Sequence, residues 1–164
     1  MFACEAVDLS FLETAPSRVS TSVNVGRPPS EVFAAFAQDP ANWGEFFPGF
    51  DNTGSYHTLR PHGVGSRRAA RFIGVKFEET ILAWDECARW AFRGDSVQAP
   101  LFDAFVEDYR FEPDGSDATL LRWTIAYKPR FAFKMAKPVL PRTLSLLLTR
   151  AGHNLEQGRW YSNS

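Results

Sequence analysis

Two glutamates occupy positions in the sequence where an apolar residue would be expected. Glu79 falls between Phe77 and Ile81 at two-residue spacing, and Glu107 precedes Tyr109 at the same spacing. Alternate residues of a strand face the same side of a sheet, so both carboxyls are predicted to face a dry interior. Burial of a carboxylate is costly unless the group is paired or protonated. Such a group can orient the polar part of a ligand, or act as a general acid or base.

Two other interpretations of these glutamates remain open at this point. Each strand could end near solvent or carry a bulge that turns the carboxyl outward. Alternatively, Arg68 or Arg71 on the preceding predicted strand could pair with Glu79, which would make that glutamate structural.

Aromatic residues are unusually frequent in this chain of 164 residues, with 15 Phe, 5 Trp and 4 Tyr. Large flat side chains fill cores, and they also line cavities that take apolar ligands. Together with the two glutamates, the following residues form the predicted ligand-binding set: Trp43, Phe47, Phe77, Trp90, Tyr109, Trp123 and Tyr127. For each aromatic residue, plain core packing is the competing interpretation.

The sequence lacks the motifs that would predict other kinds of chemistry. It has no nucleophile elbow, phosphate loop, dinucleotide fingerprint or zinc-protease helix motif. The histidines His57, His62 and His153 are scattered, and the spacing of the first two across a turn does not favour shared metal ligation. Neither a metal nor a cofactor is therefore expected, and no catalytic residue is assigned.

Charge and cysteine content limit the environments in which the protein is expected. A net charge of −1 gives no overall attraction to nucleic acid. Cys4 and Cys87 are far apart in sequence, which predicts free thiols and a reducing, cytoplasmic location. The first residues lack the basic region of a signal peptide, and no apolar run reaches the roughly 18 residues of a membrane span. The oligomeric state is not predicted.

The segment 28–50 predicts two short helices. Val32 and Phe36 lie on one side of the first, which is stopped at Pro40, and the second presents Trp43 and Phe47. Helices this short do not form alone, because nucleation is costly and each buries little surface. They must therefore pack against a larger apolar surface.

Strands separated by short turns are predicted to supply that surface. Alternating patterns place strands at 20–25, 52–59, 65–73, 75–84 and 89–94, with two more around 105–111 and 121–127. Short turns between strands imply an antiparallel sheet with one dry face. Leu140, Leu144, Leu148 and Leu155 lie on one stripe of a final helix. Residues 1–17 are expected to form a leader, and 18–164 a single domain.

The order and residues of these elements resemble a known family. The matching pieces are P-x-x-V-F-x-x-F-x-x-D-P-x-x-W at 29–43, F-P at 47–48, I-x-x-W-D at 81–85, Y-x-F-x-P-x-G at 109–115 and T-x-L-x-W at 119–123. This set is similar to the polyketide cyclase/dehydrase and lipid-transport family of the START/Bet v 1-like (SRPBCC) superfamily.

The resemblance implies an α+β helix-grip fold, in which a curved antiparallel sheet of about seven strands wraps around the long C-terminal helix. It also implies a deep cavity gated by the two short helices, and a volume of roughly 300 Å³ or more is expected. The first functional hypothesis is binding or transport of a hydrophobic small molecule, such as a lipid, a polyketide or another aromatic compound. The alternative is a polyketide aromatase/cyclase that uses cavity Glu or Tyr residues.

The C-terminal third is locally basic, with seven Lys or Arg and no acidic residue between Ala118 and Leu155. Phe131, Phe133 and Met135 interleave with Lys134 and Lys137 in this segment. The favoured interpretation is a solvated face; the alternative is transient contact with an anionic membrane or an acidic ligand.

Overall fold

The computed structural model describes residues 1–115, 117–130, 133 and 138–161. Within these residues the strands are β1 (Phe2–Ala3), β2 (Ser17–Val25), β3 (Ser55–Tyr56), β4 (Arg67–Phe72), β5 (Val75–Asp85), β6 (Arg89–Val97), β7 (Phe102–Pro113) and β8 (Thr119–Pro129). They form one curved antiparallel sheet in the order β2-β8-β7-β6-β5-β4-β3, and β1 pairs with β6. The chain therefore has the predicted α+β helix-grip architecture, and the short β1 adds to the seven predicted strands.

The short helices are α1 (Phe11–Thr14), α2 (Pro29–Phe33) and α3 (Trp43–Phe46). A π-helical turn (Ala34–Gln38) and a 3₁₀ turn (Pro40–Asn42) connect α2 to α3. Pro29 suits the first turn of α2, where a missing N–H has no consequence. The indole Nε1 of Trp43 donates to the Phe36 carbonyl at 3.0 Å, so α3 is tied to the π-helical turn that follows α2.

The C-terminal helix (Leu140–Glu156) packs against β2 and α3. Its predicted stripe is buried at Leu144, Leu148 and Leu155. Gly152 permits close approach to β2, since a Cβ there would lie 3.2 Å from the Val25 side chain. A hydrogen bond of 2.9 Å from Asn154 Nδ2 to the carbonyl of Phe46 ties the helix to α3.

The predicted strand at 52–59 is much shorter than expected and is reduced to β3. Asp51 explains the difference, because its Oδ1 accepts hydrogen bonds from both the backbone N–H and the hydroxyl of Thr53. This local turn competes with strand pairing for the backbone. Residues 1–17, expected as a leader, contribute β1 and α1, and α1 packs on β7 and β8.

Two observations bear on membrane contact. No helix among the described residues is long and apolar enough to cross a bilayer. Of the aromatic and basic segment singled out in the sequence, Phe131, Lys134, Met135 and Lys137 lie outside the described residues.

Candidate functional site

A cavity of about 160 Å³ lies between the inner face of the sheet and the C-terminal helix. Side chains from strands, helices and loops converge on it. Its wall is formed by Trp43, Phe50, Phe72, Phe77, Glu79, Phe92, Leu101, Phe102, Glu107, Trp123, Ile125, Phe133, Leu140 and Leu144. The surface is predominantly aromatic and aliphatic, which suits an apolar molecule.

The structure divides the predicted ligand-binding set into two groups. Trp43, Phe77, Glu79, Glu107 and Trp123 lie on the cavity wall. The remaining four residues are buried in the core and do not line the cavity; they are Phe47, Trp90, Tyr109 and Tyr127. The in-phase position of a residue on a strand predicts that it faces inward. It does not predict whether a neighbouring ring covers it.

The cavity is smaller than the roughly 300 Å³ expected from typical ligand pockets. Aromatic rings fill the space: Phe36 of the π-helical turn packs against Phe46, Phe47 and Tyr109 at centroid distances of 5.2–5.6 Å. The Arg68 side chain is also fully buried in this interior. The π-helical turn and α3 therefore fill part of the interior, and α3 also forms part of the cavity wall.

Glu79 forms a buried ion pair with Arg68. The two residues are opposite each other on β5 and β4, and Nε of Arg68 lies 2.6 Å from Oε2 of Glu79. Burial raises the pKa of Glu79, and the charge of Arg68 opposes that increase. The pairing suggested by the sequence is thus present, and the same glutamate also lines the cavity.

Aromatic rings surround the Arg68 guanidinium. Its central carbon lies 4.5 Å from the ring centroid of Trp43, 4.3 Å from Trp90 and 4.6 Å from Phe92. Such contacts stabilise a desolvated cation. The Nη1 and Nη2 groups are buried without a hydrogen-bond partner among the described residues. The aromatic cage and Glu79 together therefore hold this charge in the interior.

Glu107 lies on the cavity wall and accepts hydrogen bonds from two donors. Its Oε2 accepts hydrogen bonds from Nε1 of Trp123 at 2.8 Å and from the hydroxyl of Tyr109 at 3.1 Å. Burial, and secondarily the charge of Glu79, raise the pKa of Glu107 to about 7, against the opposing effects of Trp123, Tyr109 and Arg68. This carboxyl can therefore hold or release a proton near neutral pH.

Several wall residues were not predicted as ligand contacts. Phe92 stands in phase with Trp90 on β6, and Leu140 and Leu144 belong to the helical stripe, so a periodicity signal was present for these three. Phe50, which forms an isolated β-bridge with Phe72, and Leu101 lie outside the named strands and helices, where no repeating pattern exists. Their places depend on tertiary packing and carry no local sequence signal.

The histidines do not converge on this site. His57 pairs with Glu78 at 2.8 Å, and the His62 ring stacks on Tyr56 at a centroid distance of 3.9 Å. Among the residues that the structure describes, no group of three or more His, Cys, Asp or Glu side chains is arranged to hold a metal ion.

Comparisons with known proteins place this architecture in a family. The family model for polyketide cyclase/dehydrase and lipid transport matches residues 16–157. An uncharacterized protein of Mycobacterium tuberculosis is 31% identical over 160 residues, covering 96% of this chain and 93% of that protein.

Solved structures share the fold at low sequence identity. A START superfamily protein from Mycobacterium smegmatis superposes with a TM-score of 0.68 at 16% identity, covering 87% of this chain and 96% of that one. The di-domain ARO/CYC protein BexL, from the BE-7585A biosynthetic pathway, superposes with a TM-score of 0.67 at 18% identity, covering 85% of this chain and 46% of that one. The extent of the family match and the shared START/Bet v 1-like fold lead to one conclusion: this chain belongs to the polyketide cyclase/dehydrase and lipid transport family.

Proposed function

We propose that the protein binds an apolar small molecule in its internal cavity, as a carrier or receptor, without transforming it. One observation carries the proposal: the described wall of an internal space of about 160 Å³ consists of aromatic and aliphatic side chains with only two carboxyl groups. Family membership agrees with this function but does not choose among ligands, because one fold hosts many functions.

The size of the cavity favours a ligand built around one ring. Its volume is close to that of a dry engineered cavity of about 150 Å³ in another protein, which takes benzene. A sterol or a long acyl chain would require the C-terminal helix or α2 and α3 to move outward. Ring-sized aromatic compounds are therefore the first probes.

Isothermal titration calorimetry and thermal denaturation with benzene, indole and naphthalene test the proposal, with fatty acids, sterols and aromatic polyketides as a second panel. Leu144→Phe places extra volume in the cavity and should abolish binding. Leu146→Phe is the matched control, because Leu146 lies on the same helix and is 54% exposed. Failure of every probe to bind, or equal binding by both variants, would contradict the proposal.

A second candidate function, polyketide aromatase/cyclase, is favoured by Glu107. A carboxyl with a pKa of about 7 on an apolar wall suits proton transfer during aldol closure and dehydration. BexL, a di-domain ARO/CYC protein, shares the fold alone. Product analysis in a reconstituted polyketide synthase tests this candidate. An unchanged product distribution with Glu107→Gln would remove Glu107 as its catalytic residue.

A further inference from the structure

The charged side chains on the described cavity wall are both acidic. Among the described lining residues, Glu79 and Glu107 are the only ones with charged side chains, and no Lys, Arg or His lines the cavity. The indole N–H of Trp123, which is on this wall, already donates a hydrogen bond to Glu107. A ligand in this space therefore meets acceptor oxygens and few donors.

Each carboxyl has one oxygen in use and one without a partner. Oε2 of Glu79 accepts from Arg68, and Oε2 of Glu107 accepts from Trp123 and Tyr109. Neither Oε1 has a hydrogen bond within the described part of the chain. These two oxygens are the acceptors left for a bound molecule.

The charges around Glu107 do not balance when it is ionised. The groups that act on it are Glu79 from β5, Arg68 from β4, Tyr109 from its own strand β7 and Trp123 from β8. Arg68 is the single cation among them, and its Nε is bonded to Glu79. Among the described groups that act on Glu107, its ionisation therefore leaves one cation against two carboxylates.

We propose that the cavity selects a ring-sized apolar ligand with a cationic amine, and that the ammonium group binds Oε1 of Glu107. This inference rests on the proposed function and adds the chemical class of the ligand. The ammonium would supply the absent counter-charge and donate to an oxygen without a partner. The aromatic rings of Phe77, Phe102 and Trp123 also line this wall, and aromatic surroundings favour a cation further.

The same geometry disfavours an acidic ligand. A carboxylate placed here would face Glu79 and Glu107 with Arg68 enclosed by aromatic rings behind the wall. Like charges in a poorly solvated space repel strongly. The cavity should therefore discriminate among molecules of one size by the charge of their polar group.

Three probes of matched size test this: 2-phenylethylamine, 2-phenylethanol and phenylacetate, titrated calorimetrically into the full chain at about pH 6 and about pH 8. The amine should bind about tenfold tighter than the alcohol at the higher pH, since a charge-assisted hydrogen bond is roughly twice as strong as a neutral one. The difference in affinity between the amine and the alcohol should be smaller at the lower pH, because binding of the amine must then displace the proton of Glu107. Phenylacetate should bind weakest at both.

Two variants separate the role of Glu107 from general effects. Glu107→Gln should lose most of the preference for the amine over 2-phenylethanol, and its circular dichroism spectrum and thermal unfolding would show that the variant is folded. Glu112→Gln is the matched control on the same strand, because Glu112 pairs with Arg122 at the surface. This variant should behave as the wild type.

The outcomes distinguish this inference from the proposed function. Equal affinity for amine and alcohol, tighter binding of phenylacetate, or an unchanged amine preference in Glu107→Gln would overturn the inference and leave apolar binding in place. No binding of any of the three probes, together with no binding of the uncharged rings, would overturn both.

Discussion

The guanidinium Nε of Arg68 donates a hydrogen bond of 2.6 Å to Oε2 of Glu79, and the two residues are direct partners across strands β4 and β5. The Arg68 side chain is fully buried, and that of Glu79 is 6% exposed. Each of two opposite charges taken out of water depends on the other, because either one alone carries a large desolvation cost. Glu79 therefore has a structural role, and its second oxygen remains on the cavity wall.

The first prediction follows from this pair. Glu79→Gln should lower the free energy of unfolding by about 3 kcal/mol or more, because it leaves the Arg68 charge buried without a counter-charge. Urea denaturation measures the loss. Glu112→Gln should cost less than about 1 kcal/mol, since it breaks only an exposed pair.

The double variant Arg68→Met/Glu79→Gln completes the test of coupling. It should recover part of the loss, because the uncompensated cation is gone and an apolar side chain can fill its place. If the double variant loses as much stability as Arg68→Met and Glu79→Gln lose together when made singly, the two residues are not coupled.

The architecture could be predicted from the sequence because its signals are periodic. Alternation placed Phe105, Tyr109 and Phe111 on the inner face of β7, and all three are buried. The stripe of leucines placed the C-terminal helix against the sheet in the same way. Periodicity reports which side of an element faces the core, and it does so without knowledge of the partner.

Details of the cavity could not be predicted because they depend on contacts between distant segments. Arg68 is buried beside Ala69 and Ala70 on β4, so three consecutive residues break the alternation. Its cage is formed by Trp43 from α3 with Trp90 and Phe92 from β6. No local pattern predicts that these rings meet on one guanidinium.

The second prediction concerns Gly94, where a Cβ would overlap the ring of Phe105. Gly94→Ala should lower the free energy of unfolding by about 1–3 kcal/mol, because the ring must move within a packed core. Thermal and urea denaturation measure the effect. Gly63→Ala is the control, since nothing lies within 4 Å of a Cβ at that position. Equal stability of both variants would contradict the predicted overlap.

The third prediction tests the contact between the C-terminal helix and the sheet. Leu148 is fully buried, and Leu148→Ala should cost about 2–5 kcal/mol in the free energy of unfolding. Leu146→Ala, on the same helix at a position 54% exposed, should change it by less than about 0.5 kcal/mol. Similar losses from the two substitutions would indicate a helix that is not docked in solution.

The fourth prediction concerns the basic C-terminal third. Three of its cations have acidic partners elsewhere in the fold: Arg122 with Glu112, Lys128 with Glu5, and Arg130 with Asp103. These ion pairs neutralise part of the positive charge that the sequence shows in this segment. We therefore expect negligible co-sedimentation with liposomes at low salt, whether or not they contain anionic lipid. Binding that requires anionic lipid would contradict this expectation.

The last prediction is a dependence of stability on pH that originates at Glu107. An unfolded glutamate releases its proton near 4.5, whereas the folded environment raises the pKa of Glu107 to about 7. Between these values the folded state binds more protons than the unfolded state, so the free energy of unfolding falls as pH rises. Below this window both states are protonated, and above it both are ionised, so the contribution is constant on either side.

Glu107→Gln isolates this effect from other titrating groups. The stability of the wild type relative to this variant should fall by at most on the order of 3 kcal/mol between about pH 4.5 and about pH 7, from roughly 1.4 kcal/mol for each pKa unit. Urea denaturation across that range measures the difference, and Glu112→Gln should keep the wild-type dependence. Parallel pH profiles for the wild type and Glu107→Gln would mean that Glu107 titrates as an ordinary exposed glutamate. The cavity would then lack the poorly solvated carboxyl on which selection of a cationic ligand depends.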